Sequence, residues 1–292
     1  MQAEGNTMGS MEQRIELKAL DGEPLVGYLF ENHEPNGAVL ICSATAVRQR
    51  FYFPFARWLC AQGFNCLTLD YRGIGESLNA RSARASTARK QDWGQLDMPG
   101  ALNYLEQSFP NLDKHLVGHS AGDVLVGLMP NFGLLKSVVG IGCTTGYVHE
   151  ISLPYRLVAG ALLHVYFPAA IKVFGYLPAK RLGWGEDLPQ GVASQWAHWC
   201  TNPGYVKNSF GREIAHHFYD RLVLPILILN AADDPIATEP NVNALLELFP
   251  NAATQVRLLK PQEHGLLGVG HMGFFYPQNR ALWEHVLPGI QK

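Results

Sequence analysis

Leu116-Val117-Gly118-His119-Ser120-Ala121-Gly122 reads as an apolar strand running into a serine bracketed by glycines, and Asp123-Val124-Leu125-Val126-Gly127-Leu128 follows as the start of a helix. Gly118 and Gly122 leave room for a turn sharp enough to strain the backbone of Ser120. Such a turn lifts the hydroxyl above the C-terminal edge of a sheet, with free N–H groups of the new helix beneath it. Strand, motif and helix in that order are the context a nucleophilic serine needs. Ser120 is the candidate nucleophile.

Working outward, short runs of apolar residues alternate with helical patterns. Arg14–Leu20 alternates polar and apolar residues, breaks at Asp21-Gly22 and resumes at Leu25–Phe30, which predicts an antiparallel hairpin at a sheet edge. Ala38–Cys42, Asn65–Asp70, His115–Val117, Ser137–Cys143 and Leu224–Leu229 read as buried strands. Phe51, Phe55, Trp58 and Leu59 recur at helical spacing, as do Leu96, Met98, Leu102 and Leu105. Val242–Leu248 predicts a helix, Val256–Leu259 a final strand and Ala281–Ile290 a closing helix. From Gly146 to about Arg221 this alternation stops, and the chain becomes helical, aromatic and punctuated by prolines. The pattern predicts an α/β fold on a mostly parallel sheet, with a core of residues 1–146 and 222–292 and a helical cap insertion over 147–221.

A serine hydroxyl becomes nucleophilic only when a base draws off its proton and an acid orients that base. Ligands of an open parallel sheet sit at the C-terminal ends of its strands, and the loops there carry the other candidates. Among eleven histidines, His271 in Gly268-Val269-Gly270-His271-Met272-Gly273 follows the last strand and is the leading base, with His264 in the same loop as runner-up. His119 adjoins the serine but should leave the turn in another direction, as a packing residue. His216 and His217 fall in the insertion. For the acid, Asp234 precedes Pro235, which biases its backbone toward an extended form. Asp233 is the neighbouring alternative, suited to capping a turn, and Glu150 is a distant third. Backbone donors for an oxyanion are expected from Ala121 and from the loop after Cys42, at Thr45 or Ala44 with Thr45 preferred.

Composition narrows the functions further. The chain has 292 residues, 47% of them hydrophobic, and a formal net charge of −2, which gives no reason to expect nucleic acid or an anionic surface as partner. Cys42, Cys60, Cys66, Cys143 and Cys200 form no CxxC pair and their number is odd, so a reducing cytoplasm is expected. Met1–Ser10 is polar with no basic lead into an apolar stretch, and Met8 and Met11 are both candidate starts. Leu157–Leu177 is the most apolar long segment. His164, Pro168 and Lys172 interrupt it, which favours a buried or interfacial helix pair over a membrane span. Arg81, Arg84, Arg89 and Lys90 lie in a stretch read as a solvated loop, or else as a phosphate-reading patch. No metal or cofactor is expected: there is no HExxH spacing, and Gly73-Ile74-Gly75 is not a GxGxxG.

Together, Asp70-Tyr71-Arg72-Gly73-Ile74-Gly75-Glu76-Ser77, Gly118-His119-Ser120-Ala121-Gly122, Asp233-Asp234-Pro235 and Gly270-His271-Met272-Gly273 resemble the α/β-hydrolase fold superfamily from about Ile15 to Ile290. The order Ser120, Asp234, His271 is that of its triad. Leu182–Pro189 and Trp196–Cys200 are similar to a little-characterised bacterial branch of predicted hydrolases. The chain departs from many relatives in carrying Ser43-Ala44 in the oxyanion loop, and Asp123 where a second glycine follows the serine turn. Asp123 is expected to point away from the site. The resemblance implies the fold and the triad but no substrate; the triad predicts hydrolysis of a carboxylic ester or thioester by way of an acyl-enzyme, and the aromatic, apolar insertion predicts a small to medium apolar acyl group. Acyl transfer, C–C bond hydrolysis and slow-turnover ligand binding on the same scaffold are the alternatives.

Overall fold

A computed structural model describes residues 11–291, so the reading of Met1–Ser10 lies outside the described residues. The strands in chain order are β1 (Met11–Lys18), β2 (Pro24–Glu31), β3 (Gly37–Cys42), β4 (Phe64–Leu69), β5 (Lys114–His119), β6 (Leu135–Ile141), β7 (Tyr176–Leu177), β8 (Leu188–Pro189), β9 (Pro225–Ala231) and β10 (Ala253–Leu259). One eight-stranded sheet runs in the order β1-β2-β4-β3-β5-β6-β9-β10, and β7 and β8 form a small separate ribbon. β1 pairs antiparallel with β2, and β2 with β4. From β4 to β10 every pairing is parallel. The edge hairpin and the parallel remainder are both as the sequence pattern predicts.

Side chains alternate between the two faces of this sheet. Ala38, Leu40 and Cys42 of β3 enter one core, whereas Val39 and Ile41 enter the other. A strand covered on both faces has no polar register, which is why β3 reads as an unbroken apolar run. Helix Phe53–Ala61 covers the second face together with Phe274, Phe275 and Trp283, and helix Met98–Ser108 covers the first. Both helices carry proline in their first turn, where the missing N–H costs no hydrogen bond.

Two predicted helices are shorter than expected. After Ser120 only Ala121–Val124 is α-helical, and Leu125–Leu128 tightens to a 3-10 turn before Pro130. A side chain at Gly127 would collide with the Tyr219 ring, so this turn is pressed against the segment before β9. At the C-terminus, Pro277–Val286 is a 3-10 helix kinked at Asn279, and only Leu287–Ile290 is α-helical. Asn279 donates its amide to Gly273 O, and Pro288 cannot donate within the turn.

Between β6 and β9 the chain leaves the sheet. Helix Tyr155–Ala161 continues through a wider turn, Leu162–Tyr166, into helix Phe167–Phe174; the β7–β8 ribbon and helix Gln190–Thr201 follow. Phe167, Trp199 and Tyr205 of this insertion join the core cluster that contains Leu40. The insertion also touches the loop after β3: Glu186 donates its N–H to Ala46 O at 2.8 Å and its carboxylate pairs with Arg48.

The turn after β4 is held by charge. Arg72 donates from Nε and from its backbone N–H to the two oxygens of Asp97, at 2.7 and 2.9 Å, and its outer nitrogens bind Asp21. The Asp97 side chain is fully buried. Burial pushes its carboxyl up to about 7 even with Arg72 beside it. Removing one partner of a buried pair strands the other, so Arg72→Met should cost about 3–5 kcal/mol, read as a lower urea midpoint at pH 8.

Candidate active site

The serine turn is built by exclusion. Ser120 sits at φ +53°, ψ −109°, a conformation costly for any residue with a side chain. A Cβ at Gly122 would lie 2.3 Å from Cys42 O, and one at Gly118 would lie 2.3 Å from Asp123 N. Only glycine lets β5, the turn and the end of β3 approach this closely. Ser120 N–H donates to Ile141 O at 2.9 Å, which ties the turn to β6. The hydroxyl is thereby presented at the C-terminal ends of β3, β5 and β6.

The structure brings the three leading candidates together. Ser120 Oγ donates to His271 Nε2 at 3.1 Å, and His271 Nδ1 donates to Asp234 Oδ2 at 2.7 Å. The other oxygen of Asp234 accepts the N–H groups of Ile236 and Ala237. Burial raises the Asp234 carboxyl, but His271 and these hydrogen bonds outweigh it and hold the group below the usual carboxylate range. A carboxylate at this position favours the His271 tautomer with its proton on Nδ1, leaving Nε2 as an acceptor for the serine.

The alternatives are placed elsewhere. His264 stacks edge-on against His285, 4.9 Å away, and Glu150 is exposed, using its backbone O to accept the Thr238 hydroxyl. Asp233 caps the base loop itself: its two carboxylate oxygens accept Val269 N–H at 2.8 Å and Gly270 N–H at 3.0 Å. The adjacent aspartates thus divide the work, one holding the ring of His271 and the other the backbone that carries it. His216 is exposed and His217 stacks on Phe210.

A further chain of hydrogen bonds escaped the sequence reading. Ala44 N–H donates to Tyr52 Oη at 2.9 Å, Tyr52 O–H donates to His119 Nδ1 at 2.8 Å, and His119 Nε2 donates to His271 O at 3.0 Å. His119 does leave the turn in another direction, but it connects the loop after β3 to the base loop rather than only filling space. Burial, with His271 nearby, pushes its imidazole down to about 3, so the ring stays neutral. This chain also separates the two candidate oxyanion donors. Ala44 has spent its N–H on Tyr52, whereas the Thr45 N–H has no acceptor among the described residues. Ala121 opens the short helix, so its N–H has no carbonyl one turn behind it.

Lys90 overturns the reading of its stretch as solvated. Arg81, Arg84 and Arg89 are exposed, but Lys90 is fully buried. Its ammonium contacts Thr45 Oγ1 and lies 5.3 Å from the ring centres of Trp93 and of Trp196 on the insertion. Among the described residues it has no carboxylate partner, and burial pushes it down to about 7. Two aromatic faces and one hydroxyl replace its water. No signal in the sequence marks it, because Trp196 is brought to it only by the fold.

Asp123 does point away from the serine hydroxyl, toward Gly140 and Cys143 beneath the turn. Both its carboxylate oxygens are buried with no well-formed hydrogen bond, and burial outweighs the nearby Cys143 thiol and the first N–H groups of the helix to push the group up to about 7. Among the described residues, no group of three or more His, Cys, Asp or Glu side chains converges as a metal site would.

Two variants test this wiring. Tyr52→Phe leaves Ala44 N–H and His119 Nδ1 unpaired and should lower the unfolding free energy by about 1–3 kcal/mol. An Asp whose folded pKa is raised favours the fold most below its unfolded pKa and loses that contribution as pH climbs to the folded one. Between about pH 4 and about pH 8 the loss from Asp123 should approach roughly 4 kcal/mol. Asp123→Asn has no such slope, so the variant should gain on the wild type as pH rises across that window, measured by urea unfolding at both ends.

Comparison with known proteins agrees with the fold. A model of the alpha/beta hydrolase family matches residues 38–281. Among solved structures, the esterase Pf2001 of Pyrococcus furiosus superposes with a TM-score of 0.63 at 15% identity, covering 100% of this chain and 97% of that one. DcsB in complex with its substrate analogue gives 0.65 at 16% identity, covering 96% and 99%. A soluble variant of the monoglyceride lipase of Saccharomyces cerevisiae, bound to a substrate analogue, gives 0.63 at 13% identity, covering 99% and 98%. A search of curated protein sequences finds no match. The family match spans most of the chain, and the protein belongs to the alpha/beta hydrolase family.

Proposed function

We propose that this protein is a serine hydrolase that cleaves a carboxylic ester or thioester of a small to medium apolar acyl group. The observation that carries the reading is the unbroken hydrogen-bonded series Ser120–His271–Asp234. In the first half-reaction Ser120 Oγ attacks the acyl carbonyl while its proton passes to His271 Nε2, and Asp234 stabilises the imidazolium through Nδ1. The oxygen that becomes negative is met by the N–H groups of Ala121 and Thr45. The C–O or C–S bond then breaks, and His271 returns the proton to the leaving alkoxide or thiolate. Water attacks the acyl-serine with His271 again as base, releasing the acid and restoring the serine.

The segment 147–221 serves in this reading as a cap, and its aromatic, apolar composition favours an apolar acyl group. Lys90 supports it from beneath, holding Thr45 through the hydroxyl while Trp196 of the cap rests on its ammonium. Cys42, Cys66, Cys143 and Cys200 are buried thiols, which supports a reducing, cytoplasmic setting.

Intact-mass analysis after fluorophosphonate treatment tests the proposal. The wild type should gain one adduct and Ser120→Ala none. Both Ser120→Ala and His271→Ala should lose about 10⁴-fold or more in kcat on a simple aryl ester, while His264→Ala stays near wild type. An unmodified wild type with a probe small enough to pass the cap would overturn the assignment, in favour of a scaffold that binds a ligand without turning it over.

A further inference from the structure

The helix Tyr155–Phe174 is 20 residues long, and its most apolar 18-residue window has a mean hydropathy of 1.7, yet only 17% of that window is buried. Its inner face packs through Leu163, Phe167 and Ala170 onto the core, with Phe167 set against Trp196 at 5.6 Å. Its outer face is also apolar. Leu157, Val158, Val165 and Val173 are 68%, 56%, 66% and 70% exposed, and they follow one another at helical spacing. Eight of the fifteen strongly exposed large apolar side chains among the described residues fall between Leu153 and Trp184. Scattered apolar residues are ordinary on a surface, but several large ones on one face of a single helix are not.

Charge says what covers it. Between Glu150 and Glu186 the only charged residues are Arg156, Lys172, Lys180 and Arg181, all basic. Lys172 lies on the outer face among the valines and has no acidic partner among the described residues; Arg181 sits over the Phe174 ring at 5.1 Å. Of the two flanking acids, Glu186 is already held by Arg48 and Lys180. Tyr155 at the start of the helix and Trp184 after it in the chain are exposed, as amphipathic rings are at a membrane interface. A second copy docked face to face would set basic residues against basic residues with no carboxylate between them. A spanning orientation would require the inner face to abandon the core. A helix lying flat, with its apolar side in the acyl boundary and its cations at lipid phosphates, satisfies both faces at once.

We propose that the outer face of helix Tyr155–Phe174 docks the protein peripherally on an anionic phospholipid bilayer. Flotation of the full chain with vesicles of equal parts phosphatidylglycerol and phosphatidylcholine, and of phosphatidylcholine alone, is the test. The wild type should float with the anionic vesicles and be released by high salt. The triple variant V158E/V165E/V173E should lose that binding by roughly tenfold or more, and K172E/R181E by a similar factor. All five positions are exposed, so thermal unfolding close to wild type distinguishes lost docking from lost folding. Failure of the wild type to float with either vesicle would overturn the proposal, as would equal binding to neutral vesicles that K172E/R181E leaves unchanged. A concentration-dependent dimer in light scattering that the triple variant dissolves would overturn it in favour of a second copy of the chain.

Discussion

Everything at the site depends on a close approach of backbones. Gly122 lies against Cys42 O and Gly118 against Asp123 N, so the ends of β3 and β5 meet the serine turn with no side chain between them. That packing holds Ser120 at positive φ, a conformation the chain would not keep by itself. The strain is offset by the surrounding sheet, where β3 and β5 are covered on both faces. The same approach sets the loop after β3 beside the serine, where the Thr45 N–H remains unspent. One steric constraint thus positions both the Ser120 hydroxyl and the loop that carries the Thr45 N–H.

A second layer of order keeps the loops in register. The base loop has no regular structure at His271, and it is held at three points. Asp233 takes two of its N–H groups, Asp234 takes the ring, and His119 donates to the His271 carbonyl. Through Tyr52 the last of these contacts runs on to Ala44. Because His119 is buried and neutral, it has one donor and one acceptor nitrogen, and the polarity of the series is fixed. Loops that would otherwise move independently are therefore coupled through hydrogen bonds rather than through packing.

The sheet was legible because burial on both faces writes itself as uninterrupted apolar runs, and the hairpin because an edge strand alternates. Ser120, Asp234 and His271 were legible for a related reason: each occupies a loop whose place after a strand could be read in order. Tyr52 was not. It stands in Phe51-Tyr52-Phe53, an aromatic run that reads as helix core, and its hydroxyl finds His119 only across 67 residues of chain. Lys90 looked solvated because its neighbours Arg84 and Arg89 are, and nothing local announces the aromatic faces that enclose it. The division between Asp233 and Asp234 was half legible: the proline favoured Asp234, but the use of Asp233 on the base loop is a tertiary fact. The two short helices failed on propensity, since Gly127 answers to the distant Tyr219 ring and Asn279 to Gly273 in the preceding turn.

The enclosure of Lys90 links a proton to the seating of Trp196. With Trp196 in place the ammonium is stripped of water and its pKa falls to about 7; a lysine returned to solvent has its ordinary value near 10.5. Any motion that lifts Trp196 from Lys90 and wets it must therefore take up a proton across the interval between those values. Acidification within that interval favours the lifted arrangement and alkalinity the seated one. The contact that rests one aromatic ring on one amine thereby couples the seating of Trp196 to the loss of a proton from Lys90.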